Sequence, residues 1–141
     1  LVKFNTDNGE TVKSSPVTSI RNRTVYQISG GYIAIAGENV KNGAVKLVTL
    51  DNDLMEIVLE SNEVIAECSV LVKDNNDFYC VIQSGSDYYL GKYDETLKLL
   101  LKSTDSVLAE TPIVVTDSGI VVTGKNGKMI VFGKDDLKPL K

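Results

Sequence analysis

The sequence predicts an all-β fold built of repeated four-stranded antiparallel modules. Three observations predict it. Short β-rich runs alternate with Gly/Asp/Asn/Ser turns roughly every 6–12 residues, which leaves little room for helices. Apolar residues stand at consecutive positions in runs such as Ile113-Val114-Val115 and Ile120-Val121-Val122. A sheet with one wet face would alternate, so these strands are expected to be covered on both faces. The same layout also recurs along the chain.

The elements follow in order. The chain opens with a run at 1–4, a turn at Asp7-Asn8-Gly9 and a run at 11–13, which reads as an outer hairpin alone. An inner hairpin follows, 25–28, then Ser29-Gly30-Gly31, then 32–37. Its outer hairpin runs 44–50, turns at Asp51-Asn52-Asp53 and returns over 54–59. The second module has 70–73, a turn at 74–77 and 78–82, then 88–93, Asp94-Glu95-Thr96 and 97–101. The third has 113–116, Asp117-Ser118-Gly119 and 120–124, then 129–132, a turn near Lys134-Asp135-Asp136 and 137–140. A serine closes three of the outer strands, and Ser14, Ser61 and Ser103 stand 47 and 42 residues apart. The residues opening the second inner strand, Tyr32, Phe78 and Ile120, stand 46 and 42 apart, so two separate markers agree.

A repeat of that length with four short strands has the size and content of a β-propeller blade. The expected division is a half-blade at 1–14 and blades at about 15–61, 62–103 and 104–141. Propellers use about 4–8 blades, and three and a half do not close. The chain, which opens at Leu1 rather than Met, is therefore expected to be part of a larger propeller or assembly. One segment, 53–66, also has apolar residues near i, i+3 and i+4 with Asp53 as a possible N-cap. The aligned segments hold Pro139 and Glu10-Thr11-Val12-Lys13, neither suited to a helix, so the repeat favours strand.

The 141 residues give one domain by default. With 15 Lys+Arg against 19 Asp+Glu, the net charge of −4 argues against a nucleic-acid partner, which calls for a basic face. The chain has no histidine, which removes Ser-His-Asp triads, Cys-His dyads and His-based metal sites. No apolar run approaches the ~20 residues needed to span a bilayer. If 74–77 is a tight four-residue turn, facing positions sum to 151, so Cys80 faces Leu71 and Cys68 faces Gln83. The two sulfurs then point to opposite sides, and buried free thiols are expected; a bulge or a three-residue turn would restore the pairing. Asn22-Arg23-Thr24 is a glycosylation sequon, which matters only in a eukaryotic secreted context.

The DNG, DND and DET turns before outer strands, with the "GG-YIAIAG" and "SG-IVVTG" inner hairpins, resemble the broad β-propeller superfamily of the WD40-like and quinoprotein-like kind. The chain lacks Trp, so the Trp-Asp dipeptide and the quinoprotein Trp pattern are both missing and no bound quinone is implied. A second resemblance lies in "GGYIAIAGENVKNGAVKLVTLD" followed by "DFYCVIQSGSDYYLGKYDETLKLLLKS". These look like the C-terminal region of the large conserved surface or periplasmic antigen of spirochaetes, over about residues 25–137. That resemblance implies an exported, non-enzymatic protein, periplasmic or surface-associated, with no assigned activity.

The expected function is a scaffold or binding module that recognises a partner through loops on a stiff disc. The partner would be a protein, or a second copy through exposed blade faces. Asp87, Tyr88 and Tyr89 stand at the start of a strand beside a loop, where tyrosines anchor partners, although core or blade-interface packing is the ordinary role of such tyrosines. Arg21 and Arg23 are the two arginines and flank a connector; a solvated pair is the ordinary role, an acidic partner the functional one. The alternative is a carboxylate-dependent hydrolase or carbohydrate-handling propeller domain, with Glu38, Asp87 and Glu110 as the loop carboxylates. No catalytic residue, metal or cofactor is expected. Asp51-Asn52-Asp53, Asp7-Asn8 and Asp135-Asp136 read as turn chemistry rather than calcium ligands, since the D-x-D-x-D-G loop is missing. Gly124 to Lys128 reads as a hairpin turn rather than a phosphate loop.

Overall fold

The computed structural model describes residues 1–37 and 43–140, and these are all-β, in antiparallel sheets with no helix. A hairpin of β1 (Val2–Phe4) and β2 (Thr11–Ser14) comes first. β3 (Ile20–Ile28), β4 (Gly31–Ala36), β5 (Lys46–Asp51) and β6 (Ile57–Glu60) form a four-stranded meander. In the next sheet β7 (Val64–Ile65) and β8 (Val72–Asp74) both pair with β9 (Asp77–Ser84), which continues to β10 (Asp87–Tyr93) and β11 (Leu99–Ser106). The last sheet holds β12 (Val114–Thr116), β13 (Gly119–Thr123) and β14 (Met129–Phe132). These sheets do not close into a barrel.

The consecutive apolar residues have the predicted cause. Along β9, Phe78, Cys80 and Ile82 pack with Ile33, Ile35 and Leu47 of the sheet before. Tyr79 and Val81, of opposite parity, pack with Ile120, Val122 and Phe132 of the sheet after. β4 divides in the same way, with Ala34 and Ala36 meeting Val48, Leu50, Leu1 and Val17 instead. The sheets therefore stack face to face in chain order.

The outer hairpins repeat in register. Val2↔Ser14, Lys3↔Lys13 and Phe4↔Thr11 on the first correspond to Val48↔Glu60, Thr49↔Leu59 and Leu50↔Ile57 on the second, each with a bulge before the last pair. Each outer turn ends on a left-handed residue: Gly9, Met55, Leu97 and Leu137. Left-handed backbone costs a bulky residue roughly 1–2 kcal/mol. Met55, Leu97 and Leu137 are all buried, and burial of such side chains returns about 1.5–3 kcal/mol. Gly31, which opens β4 at φ 149°, has no such freedom: a Cβ there would lie 1.9 Å from the Leu50 carbonyl oxygen.

Some boundaries differ from the sequence reading. The segment 53–66 contains β6 and β7, strand as the repeat favoured, although β6 begins only at Ile57. The inner strand expected at 70–73 begins at Val72, because a turn at 66–69 splits it from β7. Ser69 fills that break: its Oγ accepts the Val81 N–H at 2.7 Å and donates to the Val70 carbonyl. Thr111 does the same for Thr123 N–H, 42 residues later. The outer strand expected at 137–140 is a single bridge, Phe132↔Pro139, since proline has no N–H for a ladder. The turn at 74–77 has the expected register, with Lys73↔Phe78 and Val72↔Tyr79. Both cysteines are free; Cys80 is buried, but Cys68 is exposed, because it lies in the turn at 66–69 rather than on a strand.

Candidate functional site

A polar concavity lies where the second and third full sheets meet at their loop ends. It is a groove of about 510 Å³ lined by Tyr89, Thr104, Asp105, Ser106, Lys125, Asn126 and Ile130. Its walls follow from the strands. Between Tyr89↔Ser106 and Gly91↔Lys102 the β10–β11 ladder carries a bulge. The buried Ser103 holds that bulge: its Oγ accepts the Leu90 N–H at 3.0 Å and donates to the Asp105 carbonyl at 2.9 Å. The extra residues place Thr104 and Asp105 at the rim, where both are exposed.

The opposite wall is the β13–β14 turn. Gly124 N–H donates to the Lys128 carbonyl at 2.8 Å, and Asn126 Oδ1 accepts the Lys128 N–H at 3.0 Å. Lys125 is tied by its N–H to the Ser106 carbonyl, and its ammonium pairs with Asp87, the first residue of β10. The hydrogen bond and charge of Asp87 raise the Lys125 pKa above the ordinary lysine value, so this cation stays charged. Lys102 sits over the Tyr89 ring at 4.1 Å. The groove therefore offers an aromatic edge, a carboxylate, a paired ammonium, an amide and hydroxyls, a set suited to a polar ligand.

The residues singled out in the sequence do not gather at one place. Asp87 is at the groove through Lys125. Tyr88 packs half-buried against the cluster around Leu90 and Ile120, and its neighbour Tyr89 lines the groove instead. Arg21 pairs with Glu67 at 2.9 Å, which links β3 to the turn at 66–69. Arg23 is exposed, with its N–H donated to Asn22 Oδ1 at 2.6 Å. Glu38 lies outside the described residues, and Glu110 is exposed. Tyr89 was singled out together with Asp87 and Tyr88; Asp105 was not, and Lys125 and Asn126 were read only as part of the hairpin turn at 124–128. The signal was present: the closing serine at 103 marks the bulge, and Gly124 to Lys128 marks the facing turn.

Among the described residues no group of three or more Cys, Asp or Glu side chains stands together as a metal site. No helix among them is long and apolar enough to cross a membrane. No curated protein and no solved structure matches the chain. A family model does match: that of the Borrelia P83/100 protein, over residues 1–113. The match agrees with the spirochaetal resemblance rather than with the propeller one. It covers β1 and β2, ahead of where that resemblance began, and stops just before β12. With residues 1–113 of 141 matched, the chain belongs to the Borrelia P83/100 protein family.

Proposed function

We propose that this chain is a non-enzymatic recognition module of an exported, surface-associated protein, with its sheets acting as propeller-type blades and its loop ends as the recognition surface. The module division is the half-blade at 1–14 and blades at about 15–61, 62–103 and 104–141. The observation that carries the reading is the groove between Tyr89, Asp105 and Lys125, set on strands of four to eight residues that pack against neighbouring sheets. Face-to-face stacking in chain order and the repeated outer-hairpin register support the blade reading. Family membership supports the extracytoplasmic setting. The hydrolase alternative would need a free carboxylate pair, whereas Asp87 is held by Lys125.

A panel of immobilised neutral, acidic and sulfated oligosaccharides and of acidic and basic peptides tests the reading. One class is expected to bind saturably, with Tyr89→Ala and Asp105→Ala each weakening it at least about five-fold. Binding that ignores both substitutions, or turnover of glycoside or ester substrates abolished by Asp87→Asn, overturns it.

A further inference from the structure

The outer edges of the sheets are guarded unequally. β2 carries Lys13, β11 carries Lys102 and follows Lys98, and the last outer segment carries Lys138 and Pro139. Lysine and proline are the residues that keep an edge strand from pairing with another chain. β6 has neither. It is the last strand of its sheet, so one row of its backbone N–H and C=O groups faces away from β5. Ile57, Val58 and Leu59 are 40%, 60% and 47% exposed, three apolar residues in a row on an open edge. Beside them lies a cleft of about 270 Å³ whose lining includes Val58 and Leu59 together with Ile28, Leu50, Glu95 and Thr96.

Charge selects the occupant. The exposed Glu56 and Glu60 bracket the apolar run, and Glu95 lines the cleft. Lys46, the cation along the same side, is committed to the carbonyl oxygens of Ser61 at 3.0 Å and Asn62 at 2.7 Å. A second copy fits poorly. Two β6 strands paired antiparallel about Val58 would set Glu56 of each opposite Glu60 of the other, and like charges directly opposite are destabilising.

We propose that β6 is a docking edge for an extended, basic-ended segment of a partner protein. The segment adds as a fifth strand antiparallel to β6, seats one apolar side chain in the cleft and sets its Lys or Arg ends against Glu56 and Glu60. This site is separate from the groove at Tyr89 and does not depend on it.

The test uses the full chain and synthetic seven-residue peptides of alternating Val and Thr, followed by amide chemical shifts. The Lys-ended peptide is expected to bind saturably and to shift the amides of residues 56–60. The Glu-ended peptide should bind about five-fold more weakly or less, and a Lys-ended peptide with alternate backbone nitrogens methylated should not bind. Glu56→Lys with Glu60→Lys should reverse the preference, and Val58→Lys, at an exposed position, should abolish binding while the fold persists. Equal affinity for both peptides, shifts away from β6, no saturation at millimolar peptide, or self-association that protects β6 in the free protein would each overturn the proposal.

Discussion

Ser103→Ala isolates what one buried hydroxyl does for a sheet. Ser103 Oγ sits 3.0 Å from the Leu90 nitrogen and 2.9 Å from the Asp105 carbonyl oxygen, and Leu90 is fully buried. Removing the hydroxyl leaves the Leu90 N–H buried without an acceptor, which costs about 1–3 kcal/mol. The Asp105 carbonyl belongs to an exposed residue and regains water at little cost. A loss of about 2 kcal/mol with a urea slope of about 2 kcal/mol/M moves the unfolding midpoint down by about 1 M. Ser61 performs the same task for the Leu47 N–H at 3.1 Å, and donates to the Glu63 carbonyl at 2.9 Å. Ser61→Ala should therefore match Ser103→Ala, and the double variant should lose about the sum, since the two lie in different sheets. Ser103→Thr keeps the hydroxyl and should lose less than Ser103→Ala. Ser14 is exposed, and Ser14→Ala should stay within about 0.5 kcal/mol. The readout is circular dichroism in urea. If Ser14→Ala costs as much as the other two, or if both buried substitutions cost under about 0.5 kcal/mol, the account of the bulge is wrong.

Three further outcomes follow from the geometry. Gly31→Ala should destabilise by about 3 kcal/mol or more, because its Cβ collides with the Leu50 carbonyl, while Gly30→Ala, with open space around it, should be nearly neutral; thermal melts of the pair decide it. Ellman's reagent should titrate one thiol in the native chain and two in denaturant, since Cys68 is exposed while burial pushes the Cys80 thiol pKa up; two fast native thiols would contradict the packing of β9. Asp51 has its pKa lowered from 3.8, chiefly by the Leu54 N–H and then the Glu56 N–H. Its stabilising contribution is therefore present above the unfolded value and is lost as pH falls through the folded one. Asp51→Asn should lower Tm at pH 7 but converge with wild type near pH 2, and parallel Tm curves across that range would refute the turn's charge dependence.

The stacking was legible because it leaves a direct trace in composition along a strand. Tyr79 and Cys80 point to different neighbours, so both had to be apolar enough to bury. The turn at 74–77 was legible to the residue, since Asp-Asn-Asn-Asp permits few geometries between two β-rich runs. The broken inner strand was not. Ser69 and Thr111 look like ordinary loop residues, and only the register shows each hydroxyl standing in for a missing ladder partner. Left-handed Met55, Leu97 and Leu137 were equally hidden, because apolar residues with positive φ run against local preference and are held there by burial. The groove escaped for a related reason. Tyr89 and Lys125 are 36 residues apart, and it takes the bulge at Ser103 to open space between them. Of the two adjacent tyrosines read together in the sequence, Tyr88 packs against the core and Tyr89 lines the groove.

Because, among the described residues, the buried clusters join each sheet to its neighbours in the chain, cohesion here is a nearest-neighbour property, as in a column of coins. β9, like β4, gives side chains to two cores at once, so cutting the chain within it would orphan both. The leading hairpin is another matter: its strands are exposed along nearly their whole length, and unravelling should begin there and travel inward. Amide deuteration should accordingly arrive as a front, reaching β1 and β2 first and Val81 last.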